Sequence, residues 1–556
     1  MLEISFNEGQ LDAIEKIKRF LSPLNQSKIC ILSGYAGTGK TTVISHITHS
    51  RQFAGKRTIL TATTNKAVAV LQSVSNKYAQ NIRYATIHKL LKIKRVIDIN
   101  GYESYIMNVD DVPDRVNKKS IHYYDLIIVD EASMVSKDLY NNILDVSKKI
   151  KGKFIVLGDP YQLPPVNEKL SKVFNYPTIY KMELKKVERV KNNILLLSMR
   201  IRKSIETNNK IKFKDLICDD ITYFRDFKKF IGNYVEKLKQ EQKECIILAY
   251  TNNRCGYIND NVRRIIFGND VGKFSPNELI IFNNFYKGLN KNFYTSQQET
   301  IKEVNDGVKV FPSFNFDSLL NLRTSMYMEN VIDKVAPVKE DTDIREDREC
   351  PICFSEEIDT MRETVCGHKF CSTCIKLWLD NNKTCPLCRM EFNLEEGSAT
   401  LKDLPEVNKT IDYLKEKIST MRYKTYNLTL AKKFVKEEEE ETVVCLHESE
   451  KKAYEEDIFT IKSILRDIGK DVRKNDRFAG VILSRLWEYI YLNFIDTFAD
   501  ISYGYCITTH KSQGSTYKNV FIDVKNILEY NTKENENLKC FYTGVTRSSG
   551  YLSLLN

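Results

Sequence analysis

Three short apolar runs in the first third of the chain are each followed closely by a glycine or an acidic residue. They occupy residues 29–32, 126–129 and 154–157. Continuous apolar runs of this length are typical of strands that are buried on both faces of a parallel sheet, because a half-exposed strand would alternate apolar and polar residues. A helical stretch follows the first run from about Lys40. The pattern therefore predicts an α/β fold built on a parallel sheet.

Two further patterns predict a hairpin and a helix. Alternating residues flank Asn100-Gly101 within residues 95–108, and this dipeptide is the strongest short-range signal for a β-hairpin. Apolar residues at steps of three and four predict a helix over residues 400–421, whose stripe could pack on a neighbouring domain or form a dimer. The stripe consists of Leu404, Val407, Ile411, Leu414, Ile418 and Met421.

The composition is that of an ordinary folded protein. The 556 residues are 42% hydrophobic and 28% charged, which argues against wholesale disorder. This length leaves room for roughly three or four domains. The net charge of +11 suits an anionic partner such as nucleic acid, although charge alone fits any basic protein equally well. The first residues are too charged for a signal peptide, and no apolar run is long enough to span a membrane.

The cysteines are unevenly distributed. Seven of the 14 lie within residues 350–388, and the other seven are scattered singly. A secreted disulfide framework would not cluster in this way, so we expect a metal site in a reducing, intracellular compartment, either nuclear or cytoplasmic. Frequent lysine, asparagine and isoleucine suggest an AT-rich genome such as that of a large DNA virus, whose replication compartment would be a third location.

The first apolar run leads into a glycine-rich turn with the chemistry of a phosphate-binding loop. Residues 34–41 fit the pattern G-x-x-x-x-G-K-[ST] at every position. Glycines let backbone N–H groups point at phosphate oxygens, and the following helix N-terminus adds the positive end of its dipole. Lys40 is expected to reach the β- and γ-phosphates, and the Thr41 hydroxyl to bind Mg²⁺. The predicted cofactors are ATP and Mg²⁺, contacted by Gly34, Tyr35, Ala36, Gly37, Thr38, Gly39, Lys40, Thr41 and Thr42.

Polar side chains follow the next two runs, where parallel strands would present their ligand-binding ends. Asp130 is expected to hold the magnesium, and Glu131 to orient or deprotonate the attacking water. The third run leads to Asp159 and Gln162, where an amide could sense the γ-phosphate. Gln10 precedes the loop and is a candidate for reading the adenine edge, although a lone glutamine is more often a surface residue.

Ten stretches occur in the order found in superfamily 1 DNA helicases. The chain resembles the 5′-to-3′ branch of that superfamily, which includes RecD-like, Dda-like and PIF-like enzymes, over residues 1–281 and 491–556. The stretches read FNEGQ, GYAGTGKTT, TATTNKAV, ATIHKLL, IIVDEASM, LGDPYQLPPV, LKKVERV, CIILAYTNNRCGYIN, YGYCITTHKSQGSTYKNVFI and FYTGVTRS.

This resemblance implies a motor with ATP in the cleft between two RecA-like lobes. Lobe 1 is expected over residues 1–183, and lobe 2 over residues 184–275 and 485–556. An SH3-like β accessory domain is expected over residues 276–305 and 422–450. The implied activity is ATP-dependent translocation on single-stranded DNA in the 5′-to-3′ direction, with unwinding of duplex DNA.

The same resemblance assigns residues to the cleft and to DNA. Arg189 in LKKVERV and Arg547 in YTGVTRS match arginine fingers, which place positive charge on the departing γ-phosphate. Gln513 in HKSQG matches a residue that faces the cleft. Hydroxyl, amide and basic groups that grip a single-stranded backbone without reading sequence are implied at further positions. These are Thr63, Asn65, Lys66, Thr86, His88, Thr508, His510 and Lys511.

The predicted hairpin at residues 95–108 lies between ATIHKLL and IIVDEAS. Helicases of this branch carry a strand-separating pin at that place. The resemblance therefore implies that Tyr102, near the tip, helps to split the duplex. A surface hairpin without a role is the alternative.

The cysteine cluster at residues 346–394 has the ligand spacing of two closed zinc sites, because each Cys-x₂-Cys turn presents two thiolates to one tetrahedral metal. It resembles the RING finger, in which ligand pairs alternate. The resemblance implies one Zn²⁺ on Cys350, Cys353, Cys371 and Cys374, and a second on Cys366, His368, Cys385 and Cys388. Since so short a segment has little core, the metal would supply much of its folding free energy.

Four positions resemble the surface by which active RING fingers bind a ubiquitin-conjugating enzyme. Ile352, Trp378 and Pro386 would form an apolar patch, and Arg389 would hold ubiquitin against that enzyme. The alternative is an apolar core with an ordinary surface arginine.

Three functions are therefore compatible with the sequence. The chain is a helicase that is also a ubiquitin ligase, or a ligase delivered along DNA by a motor that does not unwind, or a helicase whose RING only docks another protein. A GTPase is not expected, since no N-K-x-D stretch is present.

Overall fold

A computed structural model of the chain describes fourteen stretches of the sequence. They are residues 5–50, 55–75, 82–98, 100–107, 118–187, 193–207, 220–241, 244–311, 361–363, 369–371, 405–431, 440–475, 479–529 and 535–556.

The N-terminal part of the chain contains a six-stranded sheet in which all strands are parallel. From edge to edge the strands are Arg83–Thr86, Thr58–Ala62, Leu126–Asp130, Lys153–Gly158, Ile29–Gly34 and Lys181–Leu184. The helices of this part are Glu8–Phe20, Lys40–His49, Asn65–Ser75, Ile87–Leu90 and Lys137–Lys149. The three apolar runs form neighbouring strands in the middle of this sheet, where both faces are covered and their side chains are buried.

A second parallel sheet is assembled from two distant parts of the chain. Its strands are, in order, Cys506–Thr508, Cys245–Ala249, Tyr517–Asp523, Ser548–Leu555 and Ile221–Phe224. The helices that accompany it are Asn193–Thr207, Phe227–Gln240, Asn252–Phe267, Val524–Glu529 and Glu536–Val545. The prediction of an α/β fold with parallel sheets is confirmed.

A third sheet is antiparallel. The chain segment that forms it lies between the two parts of the chain that form the second sheet. Its strands are, in order, Thr442–Leu446, Arg422–Leu430, Gln298–Val310, Leu279–Phe282 and Ile501–Tyr503. A small hairpin of Tyr286–Lys287 and Asn292–Phe293 projects from it. The buried ion pair between Arg263 and Glu278 joins the helix Asn252–Phe267 to this sheet, and Arg263 also donates to the Gly272 and Lys273 carbonyls.

Three helices that follow the RING-like segment form a separate hydrophobic core. They are Pro405–Thr420, Lys451–Asn475 and Ala479–Ile490, and a π-helical turn at Tyr491–Ile495 continues the last one. Trp487 is fully buried at their centre, together with Leu414, Ile418 and Leu465. The apolar stripe at Ile411, Leu414, Ile418 and Met421 therefore packs within the chain's own core.

Within the RING-like segment the structure describes two short antiparallel strands, Met361–Glu363 and Lys369–Cys371. In the described part of the chain, no helix combines the length and the apolar character that crossing a membrane requires.

Candidate functional site

The predicted phosphate loop connects the buried strand Ile29–Gly34 to the helix Lys40–His49. Gly37 and Gly39 have φ angles of 79° and 80°, a region that only glycine adopts readily. A Cβ atom at Gly39 would also lie 2.5 Å from Nε2 of Gln10. The loop therefore depends on glycine both for its backbone path and for space, as a backbone cradle at a helix N-terminus requires.

Lys40 is the first residue of the helix and folds back over the loop. Its Nζ donates to the carbonyl oxygens of Gly34, at 2.6 Å, and Tyr35, at 3.0 Å. Thr41 follows it in the first helical turn and lines a small cavity with Leu60, Ile128 and Leu157 of the neighbouring strands. The ammonium group of Lys40 is thus held at the loop by two backbone carbonyls. A bound phosphate group would take the place of these two acceptors.

Gln10 is buried, with 4% of its surface exposed, and its side chain hydrogen-bonds the phosphate loop. Its Nε2 donates to the Thr38 carbonyl at 3.1 Å, and its Oε1 accepts from the Asn7 backbone N–H at 3.1 Å. Asn7 in turn caps the helix Glu8–Phe20, completing a capping box. The burial excludes the surface-glutamine alternative, whereas contact with adenine stays a prediction.

Asp130 ends a central strand of the first sheet, and Glu131 follows it in a left-handed conformation with φ of 53°. Oδ1 of Asp130 accepts from the Glu131 backbone N–H at 2.8 Å. Burial first, and then the charge of Glu131, raise the pKa of Asp130 to about 6, while Lys40 acts in the opposite direction. A bound cation would relieve this cost, and a carboxylate together with a threonine hydroxyl, here that of Thr41, is a donor set that suits Mg²⁺.

The segment after strand Lys153–Gly158 contacts the helix Glu536–Val545, which accompanies the second sheet. Oδ2 of Asp159 accepts from the Tyr542 hydroxyl at 2.7 Å, and the Leu163 backbone N–H donates to Oγ1 of Thr543 at 2.9 Å. Gln162 is buried between these two contacts, and its Oε1 accepts no hydrogen bond from the described residues. An unsatisfied amide oxygen at this place is compatible with a contact to a bound ligand.

The segments just described form one side of a cleft between the two parallel sheets. Arg547, which belongs to the second sheet, lies on the other side of this cleft, close to Glu131. It is 5% exposed, and its Nη1 lies 3.8 Å from Oε1 of Glu131. Its Nε donates to the Thr543 carbonyl at 3.2 Å, and its Nη1 donates to the Ser515 carbonyl at 3.3 Å. These bonds aim the guanidinium at Glu131, which is the predicted water-orienting carboxylate.

Gln513 also crosses the cleft, since its Nε2 donates to the Leu163 carbonyl at 2.9 Å. The structure therefore brings Arg547 of the second sheet to Glu131, and Gln513 to Leu163. Arg189, the other predicted arginine finger, lies outside the described residues.

Sequence reasoning missed Arg202, which also reaches the phosphate loop. Its guanidinium carbon lies 3.3 Å from the centre of the Tyr35 ring, at the second position of the loop. Its buried Nε has no hydrogen-bond partner in the part of the chain that the structure describes, and Oε1 of Glu206 lies 3.6 Å away. An arginine in a helix carries no local signal for such a contact, so only the tertiary structure could reveal it.

The predicted DNA contacts of the first sheet mostly form one group. The His88 ring hydrogen-bonds the backbone of Thr63. Thr86 caps the short helix that carries His88 by accepting from the Lys89 backbone N–H at 3.2 Å. Asn65 begins the helix Asn65–Ser75 and is exposed. These residues end or follow two neighbouring parallel strands, Thr58–Ala62 and Arg83–Thr86, and therefore lie at the same end of the sheet.

Lys66 has a different place from the rest of this group. Its Nζ donates to the Tyr517 hydroxyl at 2.7 Å and lies 4.8 Å from the centre of that ring. Because Tyr517 begins a strand of the second sheet, Lys66 bridges the two sheets in this structure.

The three candidates of the second sheet separate into two settings. Oγ1 of Thr508 accepts from the Lys511 backbone N–H at 3.4 Å, and Nζ of Lys511 donates to Oδ1 of Asn283 at 2.7 Å. His510 instead lies beside the Tyr250 ring, with its Nε2 3.9 Å from Oε1 of Glu536, and burial lowers its pKa. Its imidazole is thus packed against protein groups.

The predicted hairpin consists of Ile93–Ile97 and Glu103–Met107, paired in antiparallel register. Its tip rests on the helix Ala479–Ile490: Gly101 has φ of 78°, and a Cβ atom there would lie 2.6 Å from the Trp487 ring. The Tyr491 hydroxyl donates to the Gly101 carbonyl at 3.4 Å, and Arg95 forms an ion pair with Asp496. Tyr102 is 66% exposed beside this anchored tip.

The predicted zinc sites fall almost entirely outside the described residues. Cys371 ends the strand Lys369–Cys371. The other ligands, Cys350, Cys353, Cys366, His368, Cys374, Cys385 and Cys388, lie outside, as do Ile352, Trp378, Pro386 and Arg389. Among the residues that the structure describes, no group of three or more metal-binding side chains is present.

Three family models match the chain in succession. An AAA domain matches residues 5–213, a C3HC4-type zinc finger of the RING class matches residues 350–388, and a UvrD-like helicase C-terminal domain matches residues 503–555. The first model covers the whole of the first parallel sheet, the third covers three of the five strands of the second sheet, and the second covers the cysteine cluster.

Similar proteins extend over different shares of the chain. An uncharacterized protein, R530, of Acanthamoeba polyphaga mimivirus is 25% identical over 99% of both chains. The RecD subunit of the RecBCD enzyme of Buchnera aphidicola is 25% identical over 58% of this chain and 51% of its own length. A solved structure of Bacteroides Pif1 bound to single-stranded DNA matches 99% of this chain and 92% of its own, at 13% identity and a TM-score of 0.37.

Proposed function

Because the chain is a superfamily 1 helicase that carries a RING finger between its two ATPase halves, we propose that it moves along single-stranded DNA in the 5′-to-3′ direction and unwinds duplex DNA. We further propose that its RING finger recruits a ubiquitin-conjugating enzyme. The observation that carries the motor assignment is the cleft, where Arg547 of one sheet lies 3.8 Å from Glu131 of the other.

ATP hydrolysis in this cleft uses groups from both sheets. Lys40 would bind the β- and γ-phosphates, and Thr41 and Asp130 would hold Mg²⁺, which neutralises phosphate charge when it is bound. Glu131 would orient the attacking water and accept its proton. Arg547 now faces Glu131, so its movement onto the γ-phosphate would release that carboxylate for its role as base.

Hydrolysis is coupled to movement through the direct contacts between the sheets. Asp159 bonds Tyr542, and Leu163 bonds both Thr543 and Gln513. All of these lie within a few residues of the predicted nucleotide contacts. A change in the phosphate groups would therefore alter the spacing of the sheets, and with it the spacing between their DNA-binding groups.

The direction of movement is tested with tailed duplexes. Duplexes with a single-stranded 5′ tail should be unwound in the presence of ATP, and duplexes with only a 3′ tail should not. The measurement is release of a fluorescently labelled strand, with Lys40→Ala as the control that lacks the phosphate-binding ammonium.

Two other outcomes have distinct meanings. Unwinding from 3′ tails alone would contradict the direction. ATP hydrolysis stimulated by DNA without unwinding of either duplex would instead favour the ligase that a non-unwinding motor delivers along DNA.

The ligase proposal rests on the RING match at residues 350–388 and on four surface positions. A RING finger supplies no covalent catalysis; it positions the charged conjugating enzyme, so its contribution is proximity. The apolar residues Ile352, Trp378 and Pro386 would bind that enzyme, and Arg389 would hold ubiquitin in place.

Ubiquitin chain formation should fall about tenfold or more in Ile352→Ala and in Arg389→Ala, because central contacts of an interface carry most of its binding energy. The assay contains ubiquitin, an activating enzyme and a panel of conjugating enzymes. Arg362→Ala, in the strand Met361–Glu363 of the same segment, is the matched control.

Zinc chelation should abolish chain formation and preserve DNA-stimulated ATP hydrolysis, because the metal would fold only the RING.

Absence of chain formation with wild-type protein and every conjugating enzyme would favour a RING that only docks another protein. Loss of ATP hydrolysis on chelation would contradict a RING inserted as an independent module.

A further inference from the structure

The small hairpin on the third sheet exposes a group of apolar side chains. Phe285 is 55% exposed, Leu289 is 89% exposed and Tyr294 is 38% exposed. The rings of Phe285 and Tyr294 lie 5.8 Å apart between centres, at an angle of 56°. Neither ring belongs to the hydrophobic core beneath the hairpin, which includes the stacked rings of Phe282 and Phe293.

The hairpin segment that carries this aromatic pair has a positive net charge. Residues 283–298 contain Lys287 and Lys291 and no acidic residue. Lys287 lies between Phe285 and Tyr294 in the sequence, and its side chain is exposed to solvent. Aromatic rings interleaved with lysines in one segment match a polyanion that also offers flat apolar faces.

The loop of this hairpin is rigidly held. The carboxylate of Glu441, which is 2% exposed, accepts from the backbone N–H groups of Leu289 and Asn290. Gly288 has no room for a side chain, because a Cβ atom would lie 2.5 Å from the Lys291 carbonyl oxygen. The exposed side chains are therefore presented on a fixed backbone, which lowers the entropic cost of binding.

The aromatic residue Phe285 closely follows Asn283, a residue that hydrogen-bonds the predicted DNA contact Lys511. Nζ of Lys511 donates to Oδ1 of Asn283 at 2.7 Å, and Asn283 is itself fixed by bonds from its Nδ2 to Asp500 and Ser502. Phe285 is two residues beyond Asn283, so their Cα atoms lie within roughly 7 Å of each other. A strand that passes Lys511 would therefore lie close to the segment that carries Phe285.

We propose that Phe285 and Tyr294, flanked by Lys287 and Lys291, form a stacking site for the bases of a single nucleic acid strand. This inference rests on the proposed function, since it requires that a strand passes Lys511. The site would bind without sequence preference, because every base has a flat face to stack. It would extend the DNA track from the motor onto the third sheet.

The test compares normal and abasic oligonucleotides of the same length. Phe285→Ala and Tyr294→Ala should each weaken the binding of a labelled oligothymidine by about tenfold, the order expected for one lost base–aromatic stack. Binding of an abasic strand, which offers only the backbone, should not change. Phe459→Ala removes an aromatic side chain of 72% exposure from the helix Lys451–Asn475 and serves as the matched control.

The possible outcomes separate this inference from the proposed function. Wild-type affinity for oligothymidine in the double variant Phe285→Ala/Tyr294→Ala would overturn the stacking site, and would leave the patch to a protein partner. Equal losses for the normal and abasic strands would also overturn it, because the rings would then not act on bases. Failure of the wild-type chain to bind oligothymidine at all would contradict the proposed function itself.

Discussion

Arg547→Ala should lower the rate of ATP hydrolysis about a thousandfold or more, because an arginine finger that stabilises the charge of the transferring phosphoryl group has an effect of this order. ATP binding should be largely preserved, since Lys40 and the glycine loop remain. The structure supports this expectation through the position of the side chain. Arg547 is almost fully buried, and its guanidinium faces Glu131 across the cleft.

Single-turnover hydrolysis and binding of a fluorescent ATP analogue measure the two effects separately. Arg200→Ala removes an exposed arginine from the helix Asn193–Thr207 and should hydrolyse ATP at the wild-type rate. Arg547 also donates to the Ser515 and Thr543 carbonyls, so loss of structure must be distinguished from loss of chemistry. Arg547→Lys keeps the charge without the planar fork, and thermal unfolding of both variants reports the stability.

Hydrolysis within tenfold of the wild-type rate in a folded, nucleotide-binding Arg547→Ala variant would remove Arg547 from the reaction. Arg202 would then be the arginine to examine, because it already lies against Tyr35 of the phosphate loop. Its buried Nε, without a hydrogen-bond partner among the described residues, is a donor that a phosphate oxygen could satisfy.

The parts of the fold that sequence predicted are those with a strong local signal. The three apolar runs formed buried central strands because a parallel sheet covers both faces of a strand. The phosphate loop followed from its glycines, which have the positive φ angles that the turn needs. The hairpin followed from Asn100-Gly101, since this pair suits the turn at its tip.

The contacts that sequence did not predict are long-range. The pairs Tyr542–Asp159 and Arg202–Tyr35 join positions that are far apart in the chain, and neither has a spacing that could identify its partner. The helix Lys451–Asn475 carried no motif and received no assignment, although it supplies Ile461, Leu465 and Ile468 to a core. Burial of Gln10 was also unexpected, because a capping box with a further bond to the loop depends on tertiary packing.

The three-helix core includes residues from both sides of the RING-like segment and one residue of the hairpin. Phe311 lies N-terminal to the segment and the helix Pro405–Thr420 lies C-terminal to it, and both contribute to the cluster that surrounds Trp487. Ile97 of the hairpin belongs to the same cluster. Described residues on either side of residues 312–404 therefore belong to the core on which the hairpin tip rests.

Removal of the hairpin tip should abolish unwinding and leave DNA-stimulated ATP hydrolysis intact. None of the tip residues is a predicted nucleotide contact. Gly101 is seated on Trp487, so the exposed Tyr102 ring is held on a firm support. A fixed aromatic ring can stack on the terminal base pair and separate it as the chain advances. Shortening the hairpin to a two-residue turn removes both the ring and its seat.

Two point variants show which part of the tip matters. Tyr102→Ala keeps the seat on Trp487 and should reduce unwinding about tenfold, the order of one lost base–aromatic contact. Tyr105→Ala is the matched control, because Tyr105 is 69% exposed on the same hairpin but points from the opposite face of its strand. Unwinding and ATP hydrolysis are measured on the same 5′-tailed duplex. Normal unwinding by the shortened hairpin would reject the pin, whereas equal losses in Tyr102→Ala and Tyr105→Ala would assign the effect to the hairpin surface as a whole.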